Sequence, residues 1–215
     1  MPATPLILSI DTSAAHCAAA LLSGDHLLAQ VFVPMAKGQA ERLIPLVQDM
    51  LAQGGATPQD LDAIGVGTGP GNFTGIRIAV SAARGLALAL DIPAIGVSIP
   101  DALAHGLPHP VLISIAAPRD QVYLQRFGTD PRGPDMVAMD ALADWGAPGL
   151  SVTGHAAADI ASALGATALP AQPVAPAIAR IAASRLHLPN PRPAPIYLRP
   201  ADAAPARAQG IVMLP

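Results

Sequence analysis

Three short apolar runs open the chain. Residues 6–10 end at the polar turn Asp11-Thr12-Ser13, residues 16–22 at Ser23-Gly24-Asp25, and residues 27–33 at Pro34. Apolar runs of this length between turn residues predict three consecutive strands, at least two joined as a hairpin. From residue 39 to 53 the spacing becomes helical, with Leu43, Val47 and Met50 on one stripe that Leu46 and Leu51 broaden. Pro45 falls inside this pattern and predicts a late start or a bend, and Gly54-Gly55 closes it. Thr57-Pro58 predicts a capped short turn through Leu61. A brief strand over 64–66, a helix over 76–90 with no polar face, and a strand over 94–97 complete a βββαβαβ outline.

The second half is less patterned. Residues 111–116 and 121–127 predict a hairpin, and residues 130–149, rich in Pro, Gly and Asp, predict irregular chain. Val152 begins a strand, and helices are expected over 156–164 and 174–188. Four prolines within 189–195 predict an extended connection. Gly106, Pro108 and Pro110 mark a domain boundary, which divides the chain into residues 1–104 and 105–215.

Composition narrows the function. Of the 215 residues 52% are hydrophobic and 13% charged, about half the usual charged share, so apolar surface is left for a partner to cover. The 24 prolines show that a drift towards Ala and Pro contributes to this balance. The net charge of −3 and a single lysine, Lys37, give no nucleic-acid footprint. The lone Cys17 excludes an intramolecular disulfide and a multi-cysteine metal site, and it points to a reducing, cytoplasmic setting. The N-terminal apolar run is too short for a signal peptide. Arg77 and Arg84 interrupt the most apolar stretch, so no membrane span is expected.

Residues 65–75 read Gly-Val-Gly-Thr-Gly-Pro-Gly-Asn-Phe-Thr-Gly between a strand and a helix. Such turns bring backbone N–H groups close to anions. No lysine follows, which excludes a Walker A loop. Gly69, Gly71 and Gly75 are spaced GxGxxxG rather than GxGxxG, and Asp91 precedes its strand where a ribose-binding acid would follow one. For an isolated glycine run a turn that merely packs helix against sheet is the better account. Asp11-Thr12-Ser13 also ends a strand, however, so the two strand ends together could form a nucleotide site from Asp11, Thr12, Ser13, Gly69, Gly71 and Thr74. His105 and His109 have helical metal-ligand spacing, but Gly106 and Pro108 make them loop histidines. Glu41 is the sole glutamate, which removes paired-Glu acid/base chemistry. Ser13 and His16 have no evident orienting acid, so they read as turn and strand residues.

Ile10-Asp11-Thr12-Ser13 followed by Gly69-Pro70-Gly71-Asn72-Phe73-Thr74-Gly75-Ile76-Arg77-Ile78 resembles the TsaB (YeaZ) family, whose turn usually reads GPGSFTGLRIG. Asn72, Ile76 and Ala79 depart mildly. Arg84-Gly85-Leu86-Ala87, Gly96-Val97-Ser98 and Pro195-Ile196-Tyr197-Leu198-Arg199 follow in the family's order. The resemblance implies an α/β actin-like (ASKHA) fold of two related lobes, with a mixed sheet in the first and a smaller, degenerate second. It implies a noncatalytic subunit for synthesis of N6-threonylcarbamoyladenosine at tRNA position 37. The implied partners are a catalytic TsaD-type paralogue, a TsaE-type ATPase and, through the complex, tRNA; a homodimer in isolation is left open. No cofactor is required, and weak ATP or ADP binding is the most it implies. The paralogue's HxxxH metal motif falls here on Ile99 and Leu103, which cannot ligate a metal. The Asp-Ala-Arg run that often precedes Val122-Tyr123 becomes Ala116 and Pro118, with Arg119 one residue beyond.

A helix apolar all round needs cover on both sides. The resemblance assigns one side to the paralogue, through Ile44, Gln48 and Leu51 on the first helix and Ile76, Val80, Ala83 and Ala87 on the second. The alternative is a small ATP-binding phosphotransferase or hydrolase that uses Asp11 for Mg²⁺ and the glycine turn for phosphate.

Overall fold

The structure is a computed structural model and describes residues 4–198. Strands β1 (Leu6–Asp11), β2 (His16–Ser23) and β3 (His26–Pro34) form an antiparallel meander. Helix α1 (Gln39–Gln53) and a 3-10 turn (Pro58–Asp60) lead to β4 (Ala63–Gly67), helix α2 (Phe73–Leu90) and β5 (Ala94–Val97). β4 and β5 add in parallel, which gives the order β3-β2-β1-β4-β5. Helix α3 (Ile99–Ala104) crosses to the second sheet, made of β6 (Val111–Ala116), β7 (Gln121–Phe127), β8 (Arg132–Ala138), β9 (Ser151–Gly154) and β10 (Thr167–Ala168). Helix α4 (Ala157–Leu164) joins its last two strands, and α5 (Val174–Arg185) follows.

The second sheet runs β10-β9-β6-β7-β8, which is the first sheet's order repeated strand for strand. In each, an antiparallel meander precedes two strands added in parallel. Two lobes of one topology therefore share a chain in which no sequence repeat is visible.

β1 and β2 are buried almost throughout, because helices cover both faces of the first sheet. Leu8, Ile10, Leu21, Ile64 and Val66 meet α1 and α2 on one face; Ile7, Leu22 and Ile95 meet α5 on the other. Helix α5 is thus supplied by the chain's second half to its first sheet. It comes close enough that a Cβ at Gly65 would press on Ile178 and Ala182 at 3.0 Å. β3 alternates exposed and half-buried positions, as an edge strand with one covered face should.

Three local expectations are corrected. The helix begins at Gln39, ahead of Pro45, and continues through it. Pro45 and Glu41 both lie on the exposed side, where water can satisfy the carbonyl that proline leaves unbonded. Residues 130–149 are not irregular throughout: β8 pairs with β7 as an edge strand, a place that tolerates Gly133 and Pro134. This region also holds Trp145, fully buried against the α4 side of the second sheet, and Arg126 beneath it. The Arg126 guanidinium donates to the carbonyls of Asp130, Trp145 and Gly146 and pairs with the Asp130 carboxylate, so each of its three nitrogens has a partner. Finally, α5 ends at Arg185 rather than residue 188.

Cys17 is buried in the α1–α2 core. Burial pushes its thiol pKa up to about 11, Asp11 adds to the rise, and Arg42 works against it. The thiol is therefore protonated and inert at neutral pH. Ellman's reagent at pH 8 should leave the native chain unlabelled for the time in which a urea-unfolded sample reacts fully. Fast native labelling would show that the core opens.

Candidate functional site

The structure brings the two strand ends together but leaves no cradle between them. Thr12 Oγ1 donates to the Gly75 carbonyl at 2.6 Å, and the Ser13 carbonyl accepts from Asn72 N at 2.6 Å. A Cβ at Gly71 would overlap the Ser13 carbonyl oxygen, and one at Gly75 the Thr12 carbonyl oxygen. The glycines at 71 and 75 thus allow backbone to approach backbone. Gly69 differs, since its φ of +89° favours glycine and its carbonyl accepts from Ile99 N at the start of α3. Asn72 caps α2 by accepting from Gly75 N at 2.9 Å, so the departure from the family's serine keeps a capping oxygen. Thr74 is exposed beside this cap.

Asp11 is wholly buried. Its Oδ2 accepts from Ser13 Oγ at 3.0 Å and from His16 Nε2 at 2.6 Å, while Oδ1 has no hydrogen-bond partner among the described residues and lies against Gly67. The acid missing from the sequence reading of Ser13 and His16 is therefore Asp11, folded back from the preceding strand end. Both groups bind one carboxylate oxygen, and a serine nucleophile would need its hydroxyl on the histidine instead. The cluster fixes the β1–β2 turn. A nucleotide with its metal would need Asp11 Oδ1 and the turn's N–H groups on one space; Oδ1 points at Gly67, the Ser13 carbonyl takes Asn72 N, and Asn72 Oδ1 takes Gly75 N. These residues do not fit that group.

The paralogue's metal-ligand positions are filled by carbon. Ile99 and Leu103 are buried on one face of α3 against Val97, Val111 and Ile113. The helix ends at Ala104, so His105 and His109 lie in the loop beyond it. Arg119 stands exposed at the β6–β7 hairpin tip with φ +61°, and Ala116 is exposed at the end of β6.

The helical surface also differs from expectation. Ile76, Val80, Ala83 and Ala87 are all buried in the chain's own core, together with Leu51. They cannot present a surface to another chain. Ile44 is 39% exposed and Gln48 is exposed. The outward face of α2 carries Phe73, Arg77, Ser81, Gly85 and Leu88 instead, with Leu88 81% exposed. At its start the Arg77 guanidinium lies 3.8 Å from the Phe73 ring centre, and Arg77 Nε donates to Tyr197 Oη at 2.8 Å. Ile196 N donates to the Thr68 carbonyl. The Pro195-to-Leu198 tail, 120 residues away in sequence at the Arg77–Tyr197 bond, thus sits on the helix of the glycine turn. Arg199, the last residue of that match, lies outside the described residues.

A family model described as TsaD, tRNA N6-adenosine threonylcarbamoyltransferase, matches residues 32–193. An uncharacterised protein of Mycobacterium tuberculosis H37Rv is 36% identical over 209 residues, covering 93% of this chain and 94% of that protein. The crystal structure of YeaZ from Pseudomonas aeruginosa superposes with a TM-score of 0.73 at 28% identity, covering 90% of this chain and 100% of that one. The tRNA threonylcarbamoyladenosine biosynthesis protein TsaB of Escherichia coli K12 is 36% identical over 132 residues. The chain belongs to the TsaB (YeaZ) family. Its fold is the two-lobe actin-like fold, which the repeated sheet order displays directly. The match to E. coli TsaB spans 59% of this chain and 57% of that relative. The TsaB signature is thus a folding signature here. Its glycines seat the β1 turn, and its arginine and tyrosine join the tail to α2.

Proposed function

We propose that this TsaB-family chain acts in the biosynthesis of N6-threonylcarbamoyladenosine in tRNA, as a noncatalytic subunit in the cytoplasm. One observation carries the reading: the glycine turn packs directly on the backbone of Thr12 and Ser13, where a nucleotide's phosphates would need space. Ile99 and Leu103 at the metal-ligand positions support it. The same closure weighs against a free-standing phosphotransferase that uses Asp11 and the glycine turn, and the chain needs no cofactor of its own at this site.

Its partner is a TsaD-type paralogue, which docks on the outward faces of α1 and α2. Ile44, Leu88 and the stacked Phe73–Arg77–Tyr197 group supply exposed apolar and aromatic surface, of the composition that interface cores favour. A homodimer would compete for these faces. A TsaE-type ATPase and tRNA join through the complex; at net charge −3 this chain contributes little attraction for a polyanion. Reconstitution with the TsaD-type and TsaE-type proteins tests the proposal. Modified nucleoside should form only when this chain is added, and equal product without it would end the proposal.

A further inference from the structure

The geometry points to a second site, a cleft that binds a phosphorylated small molecule between the end of β5, the start of α3 and the proline-rich strap after α5. The cleft has a volume of about 630 Å³, within the usual range for a small-molecule site, and Arg185, Arg192, Asp101, Ser98, Leu188 and Ile196 line it. It exists because the strap cannot pair with β5. Prolines 189, 191 and 193 have no N–H to offer an edge strand, so the strap arches over the edge.

The charge in the cleft opposes that of the chain. Two guanidiniums face one carboxylate, in a protein of net charge −3. The carboxylate does not saturate its neighbour: Arg185 Nη2 stands 3.9 Å from Asp101 Oδ2, against about 2.7–2.9 Å for a charge-assisted hydrogen bond. Arg185 Nη1 reaches the Gly96 carbonyl at 3.3 Å, which orients the guanidinium at the cleft wall. A planar guanidinium with free donors suits bidentate capture of a phosphate. Leu188 and Ile196 provide an apolar wall for the body that carries it. A phosphomonoester of nucleotide size satisfies both features. The cleft adjoins the glycine run at Thr68 but is not lined by Asp11, Thr12 or Ser13, and it does not rest on the role proposed above.

The full-length chain should be titrated with AMP, inorganic phosphate and citrate while backbone amide shifts are followed. AMP should move the amides of Gly96, Ser98, Asp101 and Asn190, bind more tightly than phosphate, and weaken about tenfold in Arg192→Gln, the loss of one charge-assisted contact. Arg185→Gln should weaken it equally. Should that variant melt early because Gly96 loses its donor, Arg192→Gln, on an exposed residue, carries the test alone. Binding of AMP unchanged in Arg192→Gln would overturn the site. So would phosphate binding as tightly as AMP, citrate binding where AMP does not, or shifts centred on residues 69–75.

Discussion

Gly75→Ala should lower the melting temperature by about 10 °C, although alanine is the better helix former by ~1 kcal/mol. Gly75 lies in the first turn of α2, and its missing side chain faces the Thr12 carbonyl oxygen. A Cβ there would overlap backbone at the end of β1, a buried strand that cannot retreat without moving the sheet. The insertion would also break the Thr12 Oγ1 bond to the Gly75 carbonyl and strain the Asn72 cap. Overpacking and the lost buried bond together cost about 3 kcal/mol, which in a chain of this size is about 10 °C. Gly85 supplies the control within the same helix. It is exposed, and a Cβ there would meet nothing within 4 Å among the described residues. Gly85→Ala should therefore raise the melting temperature by about 2–4 °C. Opposite signs from one substitution at two sites of one helix would place the cost in the β1 contact; equal signs would show that the glycine turn is not closed as described.

That contact marks where sequence reading stopped. The glycine run and the Asp11 turn are legible as two strand ends that meet, because apolar runs and turn residues give the topology. Whether they enclose space or touch depends on ångström-scale approach of the backbones, which no pattern of residue types encodes. The face of α2 was illegible for a related reason. Thr74, Arg77 and Ser81 mark the outer face of its first half, but beyond them buried Ala83 and Ala87 and exposed Gly85, Leu88 and Ala89 use the same residue types. Hydrophobic periodicity separates faces only when they differ in polarity. In β8 the ladder to β7 overrides residues that favour turns. His16 on Asp11 and the strap cleft bring together residues whose spacing in sequence signals nothing.

The second large effect separates the two faces by function. Ala83→Glu places a carboxylate in the apolar core cluster that also holds Leu43, Val47, Ile64 and Val80. An unpaired buried charge costs several kcal/mol, so this variant should be largely unfolded by circular dichroism and should fail to bind any partner for that reason alone. Ile44→Glu changes a 39%-exposed side chain on the outward face of α1, and the free chain should melt within about 1–2 °C of the parent. On the proposed partner surface, however, a charge replaces an apolar contact that becomes dry on docking. That loss plus desolvation costs about 3 kcal/mol or more, a weakening of at least about a hundredfold in affinity for the TsaD-type paralogue. Leu88→Glu should act in the same way if the outer faces of α1 and α2 form one surface. Calorimetry with the paralogue distinguishes the cases: a folded Ile44→Glu chain that binds with unchanged affinity would move the partner off this face, while the closed glycine turn would still stand.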